Sequence, residues 1–154
     1  MMSQIESQPD KKPNMKHITI VGQGPGRLGE GRKPFEGKGS GSRLAEIAGV
    51  SSLDEVAVLT NLLPRFYGKQ GKGDSFPLKK ARAEAKNMTL RTKKILLCGK
   101  NVARAFGIKA DYFEKTTVCG KIAYVIPHPS GVNRWWNDEE NKLRARAFFA
   151  KLLQ

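Results

Sequence analysis

Thiols and imidazoles are scarce in this 154-residue chain, which holds two cysteines and two histidines. Cys98 and Cys119 belong to no CxxC pair, and His17 and His128 are far apart. A zinc or iron-sulfur site needs more ligands at closer spacing, so neither a metal nor another cofactor is expected. Both thiols, in or beside apolar runs, read as buried and free. Acids are short as well: 14 Asp and Glu stand against 28 Lys and Arg, a net charge of +14 at pH 7. Such a field attracts polyanions and speeds their encounter, which makes nucleic acid the first partner to consider. No stretch approaches the ~20 apolar residues of a membrane-spanning helix, and the start "MMSQIESQPDKKPNMK" lacks the apolar core of a signal peptide. A cytoplasmic protein is therefore the expectation.

What is present alternates. After a polar, proline-bearing stretch over residues 1–15, expected to be a disordered tail, residues 16–154 read as one domain. Four short apolar runs follow: "HITIVG" from His17, "EVAVLTNLL" from Glu55, "KILLCG" from Lys94 and "IAYVIPH" from Ile122. They are near-continuously apolar and rich in β-branched residues, the pattern of strands covered on both faces. Helical patterns lie between and after them. "SGSRLAEIAGV" opens on serine and glycine, and "SFPLKKARAEAKNM" has Ser75 as a possible cap. "KNVARAFG" ends on glycine. "NDEENKLRARAFFAKLLQ" has Asn137 as candidate cap and Leu143, Ala147, Ala150 and Leu153 along one face. Parallel strands need crossover connections, so the alternation predicts a three-layer α/β/α domain around a four-stranded parallel sheet. Ligands of such sheets sit beyond the carboxyl ends of the strands, and the unusual residues of this chain all fall in the loops at that edge.

In the first of these loops "GQGPG", Gly22 to Gly26, permits a tight turn whose N–H groups can face a ligand. It lacks the GK[ST] of a phosphate loop and the last glycine of the dinucleotide fingerprint, and alone it is equally well a mere turn. Phe35, held by Pro34 among glycines, can stack on a base or pack under its loop. Asn61 ends the second strand pattern; its amide offers a donor and an acceptor to a pyrimidine edge, or bonds its own turn. His128 follows the fourth strand in "IPHPSGVNRWWN". A neutral imidazole donor there can stabilise a developing anion, although most lone histidines are structural. "RFYGKQGKGDS" from Arg65 reads as a flexible basic loop.

Taken in order, "VGQGPGRLGEGRKPFEGKGSGSRLAEIAG", "LTNLLPR", "ILLCGKNVARAFG" and "VIPHPSGVNR" resemble the uracil-DNA glycosylase superfamily. The nearest branch is the thermophile-type iron-sulfur one, whose four cluster cysteines are absent here. The resemblance implies that Gln23 and Gly24 bind the base through backbone donors and help position water. It implies that Phe35 stacks on the flipped base, that Asn61 reads the pyrimidine edge, and that His128 stabilises negative charge on the leaving base. Gly24 stands where other branches carry an Asp, which leaves Glu30 as the local carboxylate for orienting water. Residues after the histidine wedge into the minor groove in this superfamily. By that resemblance Ser130, Val132, Asn133, Arg134 and Trp135 face DNA; Arg65, Lys69 and Lys72, in a basic stretch, fit a phosphate track or equally a solvated basic face, and at least one of Trp135 and Trp136 is expected to be a buried anchor of the last helix.

The expectation is a monomeric, bacterial or phage-type enzyme that hydrolyses the N-glycosidic bond of uracil or a related damaged or modified pyrimidine in DNA. Two alternatives stay open: a non-catalytic DNA-binding protein that kept the fold, and a base-modification enzyme acting on another base. A generic nucleotide binder ranks last, for want of either phosphate-loop pattern.

Overall fold

The computed structural model describes residues 16–26, 33–35, 39–71, 73–130 and 133–154. The expected tail over residues 1–15 and the candidates Glu30, Lys72 and Val132 lie outside the described residues. The elements run β1 (Ile18–Gly22), α1 (Ser40–Ala48), a 3-10 turn (Leu53–Glu55), β2 (Val58–Asn61), a small hairpin of β3 (Lys69–Gln70) and β4 (Gly73–Asp74), and α2 (Leu78–Asn87). They continue with β5 (Lys94–Cys98), α3 (Lys100–Ala105), β6 (Thr116–Val118), β7 (Lys121–Ile126), a second 3-10 turn (Arg134–Asn137) and α4 (Glu139–Leu152).

The main sheet has five strands in the order β2-β1-β5-β7-β6. The first four are mutually parallel, as the alternation predicts, and β6 is added antiparallel to β7 at one edge. This fifth strand escapes a periodicity reading because it is three residues long and joined to β7 by only Cys119 and Gly120. Both take positive φ, 52° and 77°, the primed geometry whose twist suits a two-residue hairpin. The turn also corrects the expectation that both thiols are buried: Cys98 is fully enclosed, with burial pushing its pKa up, whereas Cys119 is exposed.

Side chains alternate across the central strands and so build two cores. Ile18, Ile20, Leu96, Cys98 and Ile126 pack against α1, α4 and Trp136 on one face. Val21, Ile95, Leu97, Ala123 and Val125 pack against α2 and α3 on the other. This is the three-layer arrangement that continuous apolar strands require. The edge strand β2 is only partly covered, with Val58 43% exposed. One buried polar contact crosses the sheet end, between the hydroxyls of Thr19 and Thr92 at 2.7 Å.

Helix ends follow local chemistry, with two corrections. α1 closes on Gly49 in the left-handed region, its N–H and that of Val50 bonding back to Glu46 and Ala45. α2 starts at Leu78 with Pro77 as its cap, so Ser75 lies too far upstream; its N–H instead closes the β3–β4 hairpin by donating to the Gly68 carbonyl at 2.7 Å. The segment expected to be a flexible loop thus contains paired strands. α4 is capped by Asp138, whose carboxylate accepts from the N–H groups of Glu140 and Asn141, rather than by Asn137. The face it buries is Ala145, Phe149 and Leu152, not the expected Leu143 stripe; Leu143 is 62% exposed. Both sets have helical spacing. Burying Phe149 removes more apolar area from water than burying Leu143 together with small alanines.

Candidate active site

Four chain segments leave the sheet at the carboxyl ends of β1, β2, β5 and β7. The β1 and β2 exits stay laced together: Leu62 N–H donates to the Gly22 carbonyl at 2.8 Å and Leu63 N–H to that of Gln23 at 2.9 Å. Asn61 is therefore in register with Gly22. A Cβ on Gly22 would stand 2.8 Å from both Asn61 Oδ1 and the Phe35 ring, so only glycine permits the three to meet. Gly24 is constrained in the same way by Leu63, 3.0 Å from where a Cβ would be. Phe35 itself holds a positive φ of 62°, a conformation most side chains avoid.

These segments enclose a pocket of about 160 Å³ lined by Gln23, Gly24, Phe35, Asn61, His128 and Pro129 among others. That is about five times the ~30 Å³ share of one water and suits a single-ring base. Phe35 forms a wall, with a larger cleft of about 560 Å³ on its other side against the edge of β2. Five residues expected at the base thus come together from three separate loops. Among the described residues, neither the Asn61 side-chain amide nor His128 Nε2 has a hydrogen-bond partner, so both keep their bonding capacity for a ligand.

The loop after β7 sets the state of His128. Ser130 N–H donates to His128 Nδ1 at 3.2 Å, which assigns the proton of the neutral ring to Nε2. Burial lowers the His128 pKa from its ordinary value, with the charge of Asp74 acting in the opposite direction, so the neutral donor form is favoured at neutral pH. The His128 carbonyl is clasped by two donors, Asn133 Nδ2 at 2.7 Å and Trp136 Nε1 at 2.9 Å. Arg43 of α1 holds the next turn by donating to the Ser130 carbonyl at 2.9 Å, with its guanidinium 5.7 Å from the centre of the Trp136 ring. From the β5 side, Gly99 brings its backbone against the imidazole; a Cβ there would be 3.1 Å from His128 Cβ.

The residues expected on the DNA-facing rim divide. Trp136 is 1% exposed and is the buried anchor anticipated for one of the pair. Trp135 is half-buried, its ring 6.0 Å from Tyr112 and 5.8 Å from Phe113, and so lies in an aromatic cluster under α4 rather than free to enter a groove. Asn133 is likewise committed to the fold: its amide nitrogen holds His128 and its oxygen caps the 3-10 turn by accepting from Trp135 N–H. The Asn133 side chain satisfies the His128 carbonyl and the Trp135 N–H, and the Trp135 ring packs on Tyr112 and Phe113. Arg134 is exposed, as are Arg65, stacked 4.2 Å over Tyr67, and Lys69, paired with Asp74 at 3.7 Å.

Three residues near the pocket carry no sequence signal of their own. Asn101 donates to Gln23 Oε1 at 3.4 Å, Asp74 approaches the first loop at Gly26, and Arg43 reaches across from α1. The loop holding Asn101 was marked by its place after a strand; which of its side chains turns inward depends on the phase of α3. Among the described residues no group of three or more His, Cys, Asp and Glu side chains comes together as a metal site. No described helix is long and apolar enough to cross a membrane.

The fold and site define an α/β/α protein with a base-sized pocket at the carboxyl edge of its parallel sheet. The chain matches the family model of the uracil DNA glycosylase superfamily over residues 9–153, and it belongs to that superfamily. A search of curated proteins found no match. Membership supports a DNA glycosylase-like function acting on DNA.

Proposed function

We propose that the protein excises uracil, or a related damaged or modified pyrimidine, from DNA by hydrolysing the N-glycosidic bond. The observation that carries this reading is the pair of groups without a hydrogen-bond partner among the described residues, the Asn61 amide and the His128 Nε2–H, lining one pocket with Phe35. A flipped pyrimidine presents a donor and an acceptor on one edge, which a side-chain amide matches with both of its ends. Phe35 stacks on the ring face. As the bond from the base nitrogen to C1′ breaks, the bonding pair moves onto the base and gathers on its carbonyl oxygen. There a fixed neutral donor is worth more than water, because it needs no reorganisation. His128 serves by keeping its Nε2 proton while stabilising that charge. The backbone of Gln23 and Gly24 completes the cradle, and Glu30 orients water in this reading. Ser130, Arg134, Arg65, Lys69 and Lys72 face the phosphates, with Val132 as the wedge.

A second reading, a DNA-binding protein that retains the pocket without hydrolysis, has one observation in its favour: no carboxylate is among the described residues lining the pocket. One assay separates the two. The protein is incubated with a uracil-containing oligonucleotide, then alkali is added to cleave any abasic site. Strand cleavage that disappears in His128→Ala and Asn61→Ala supports excision. Tight DNA binding with no abasic product from uracil or other modified pyrimidines refutes it.

A further inference from the structure

Hydrolysis at C1′ asks for a carboxylate on the sugar side of the pocket, to take a proton from water and to face the positive charge that develops on the sugar. The first loop has glycine at both Gly24 and Gly26, and none of the described pocket-lining residues is an acid. A neighbouring element brings one close. Asp74 is the last residue of β4 in the small hairpin, which pairs Lys69 with Asp74 and Gln70 with Gly73 and is closed by the bond from Ser75 N–H to the Gly68 carbonyl. A side-chain carbon on Gly26, itself a pocket-lining residue, would stand 3.7 Å from Asp74 Oδ2 and, among the described residues, meet nothing else within 4 Å. The bare glycine therefore puts no side chain of its own between carboxylate and pocket.

We infer that Asp74, held by the β3–β4 hairpin against Gly26, takes the water-activating role that the resemblance gives to Glu30. The inference rests on the glycosylase reading. In the step, the water oxygen bonds to C1′ as the C1′–N bond breaks, and the bonding pair leaves with the base as an anion held by His128 Nε2–H. One water proton passes to the Asp74 carboxylate, which returns it to solvent afterwards. Asp74 is placed for this by three features. Its side chain is 33% exposed, so it is partly dry yet reachable by water. Its Oδ1 is engaged by Lys69 at 3.7 Å, which leaves Oδ2 on the Gly26 side. Its charge is also felt at His128, which ties the hairpin electrostatically to the pocket. Among the described residues, Lys69 and His128 are the charged or titratable groups that bear on it from the hairpin and from the β7 loop.

The test is single-turnover excision of uracil from an oligonucleotide by wild type, Asp74→Asn and Glu30→Gln at neutral pH. Asp74→Asn is expected to lose about 10²–10⁴-fold in rate, the usual worth of a positioned general base. It should still bind the same oligonucleotide within a few-fold of wild type. Its melting temperature should stay close to wild type, since an exposed ion pair contributes at most ~1 kcal/mol. Asp74→Glu should recover part of the rate. An Asp74→Asn rate within three-fold of wild type overturns the inference, as does a rate loss in Glu30→Gln that equals or exceeds the loss in Asp74→Asn. No excision by wild type on any modified pyrimidine refutes the glycosylase reading itself, and the Asp74 role falls with it; the wild-type reaction alone tells these failures apart.

Discussion

The His128 carbonyl, clasped by Asn133 Nδ2 at 2.7 Å and Trp136 Nε1 at 2.9 Å, supports a double-mutant cycle whose outcome follows from the geometry. Trp136→Phe removes one donor and part of a ring that is 1% exposed. A lost hydrogen bond of ~1 kcal/mol and a small cavity of ~1 kcal/mol give a destabilisation of about 2 kcal/mol. Asn133→Ala removes the other donor and the cap on Trp135 N–H, again about 2 kcal/mol. Each single variant leaves the carbonyl one partner; the double variant leaves it none. Stranding a buried acceptor costs roughly 1–3 kcal/mol, so the double variant should fall below the sum of the singles by about 1 kcal/mol or more. At ~3 °C per kcal/mol for a chain of this size, the singles lose about 6 °C each in melting temperature and the double about 15 °C or more. Excision by the double variant should slow by ~10-fold or more, since a displaced peptide carries the imidazole with it. Thermal melts and denaturant titrations of the four proteins provide the energies. Additivity within ~0.5 kcal/mol would refute a shared clasp.

Four further outcomes are expected. Gly99 sits at φ 96° and ψ 160°, nearly exclusive to glycine, so Gly99→Ala should cost about 1–3 kcal/mol in a melt and slow excision, because the new methyl meets His128; an unchanged rate would contradict the close approach. Burial lowers the His128 pKa, so the unfolded chain, with a histidine near ~6.5, takes up this proton at higher pH than the native one; stability should fall as pH drops through that value and level off below the native pKa, and His128→Gln should abolish that component. In an NMR titration the His128 midpoint should lie below that of a free histidine and move further down in Asp74→Asn, because the Asp74 charge is what raises it; an upward move refutes the assigned coupling. Arg65→Ala should reduce the salt slope of DNA binding by ~0.9 for duplex or ~0.7 for single strands if its guanidinium meets one phosphate.

The layer order and the ligand edge were legible because continuous apolar strands between amphipathic stretches admit few other packings. The pocket residues were legible for a narrower reason: Gln23, Asn61 and His128 each lie within two residues of a strand end, and a strand end fixes position in space. Residues whose role depends on how a loop closes were not. Asn133 and Trp135 share the polar and aromatic character of groove contacts, and only the closed 3-10 turn shows their side chains bonded inward. Asp74 was masked by its neighbours, since "GKQGKGDS" has the composition of a flexible loop while two residue pairs suffice to make it a hairpin. On α4 two apolar faces compete, and the choice falls to Phe149 packing against the sheet, a tertiary contact that no local pattern reports.

The excess of cations bears on why the site lies where it does. Among the described residues only two ion pairs form, both made by lysine, at Lys69–Asp74 and Lys142–Glu139. Several other cations are held by groups that leave their charge intact: Arg65 and Lys80 over Tyr67, Lys100 over Tyr112, Arg144 over Phe113 and Arg43 over Trp136. A ring face orients a cation without neutralising it, so the positive field persists and self-repulsion is accepted within the native state. Tyr67 and its cations flank the hairpin that carries Asp74, and Lys100 opens the helix that presents Asn101 to Gln23. The same elements that complete the pocket therefore carry unneutralised charge beside it. A polyanion drawn to that charge is delivered to the open edge of the sheet, where the histidine stays neutral because it is shielded from the water that would favour its protonated form.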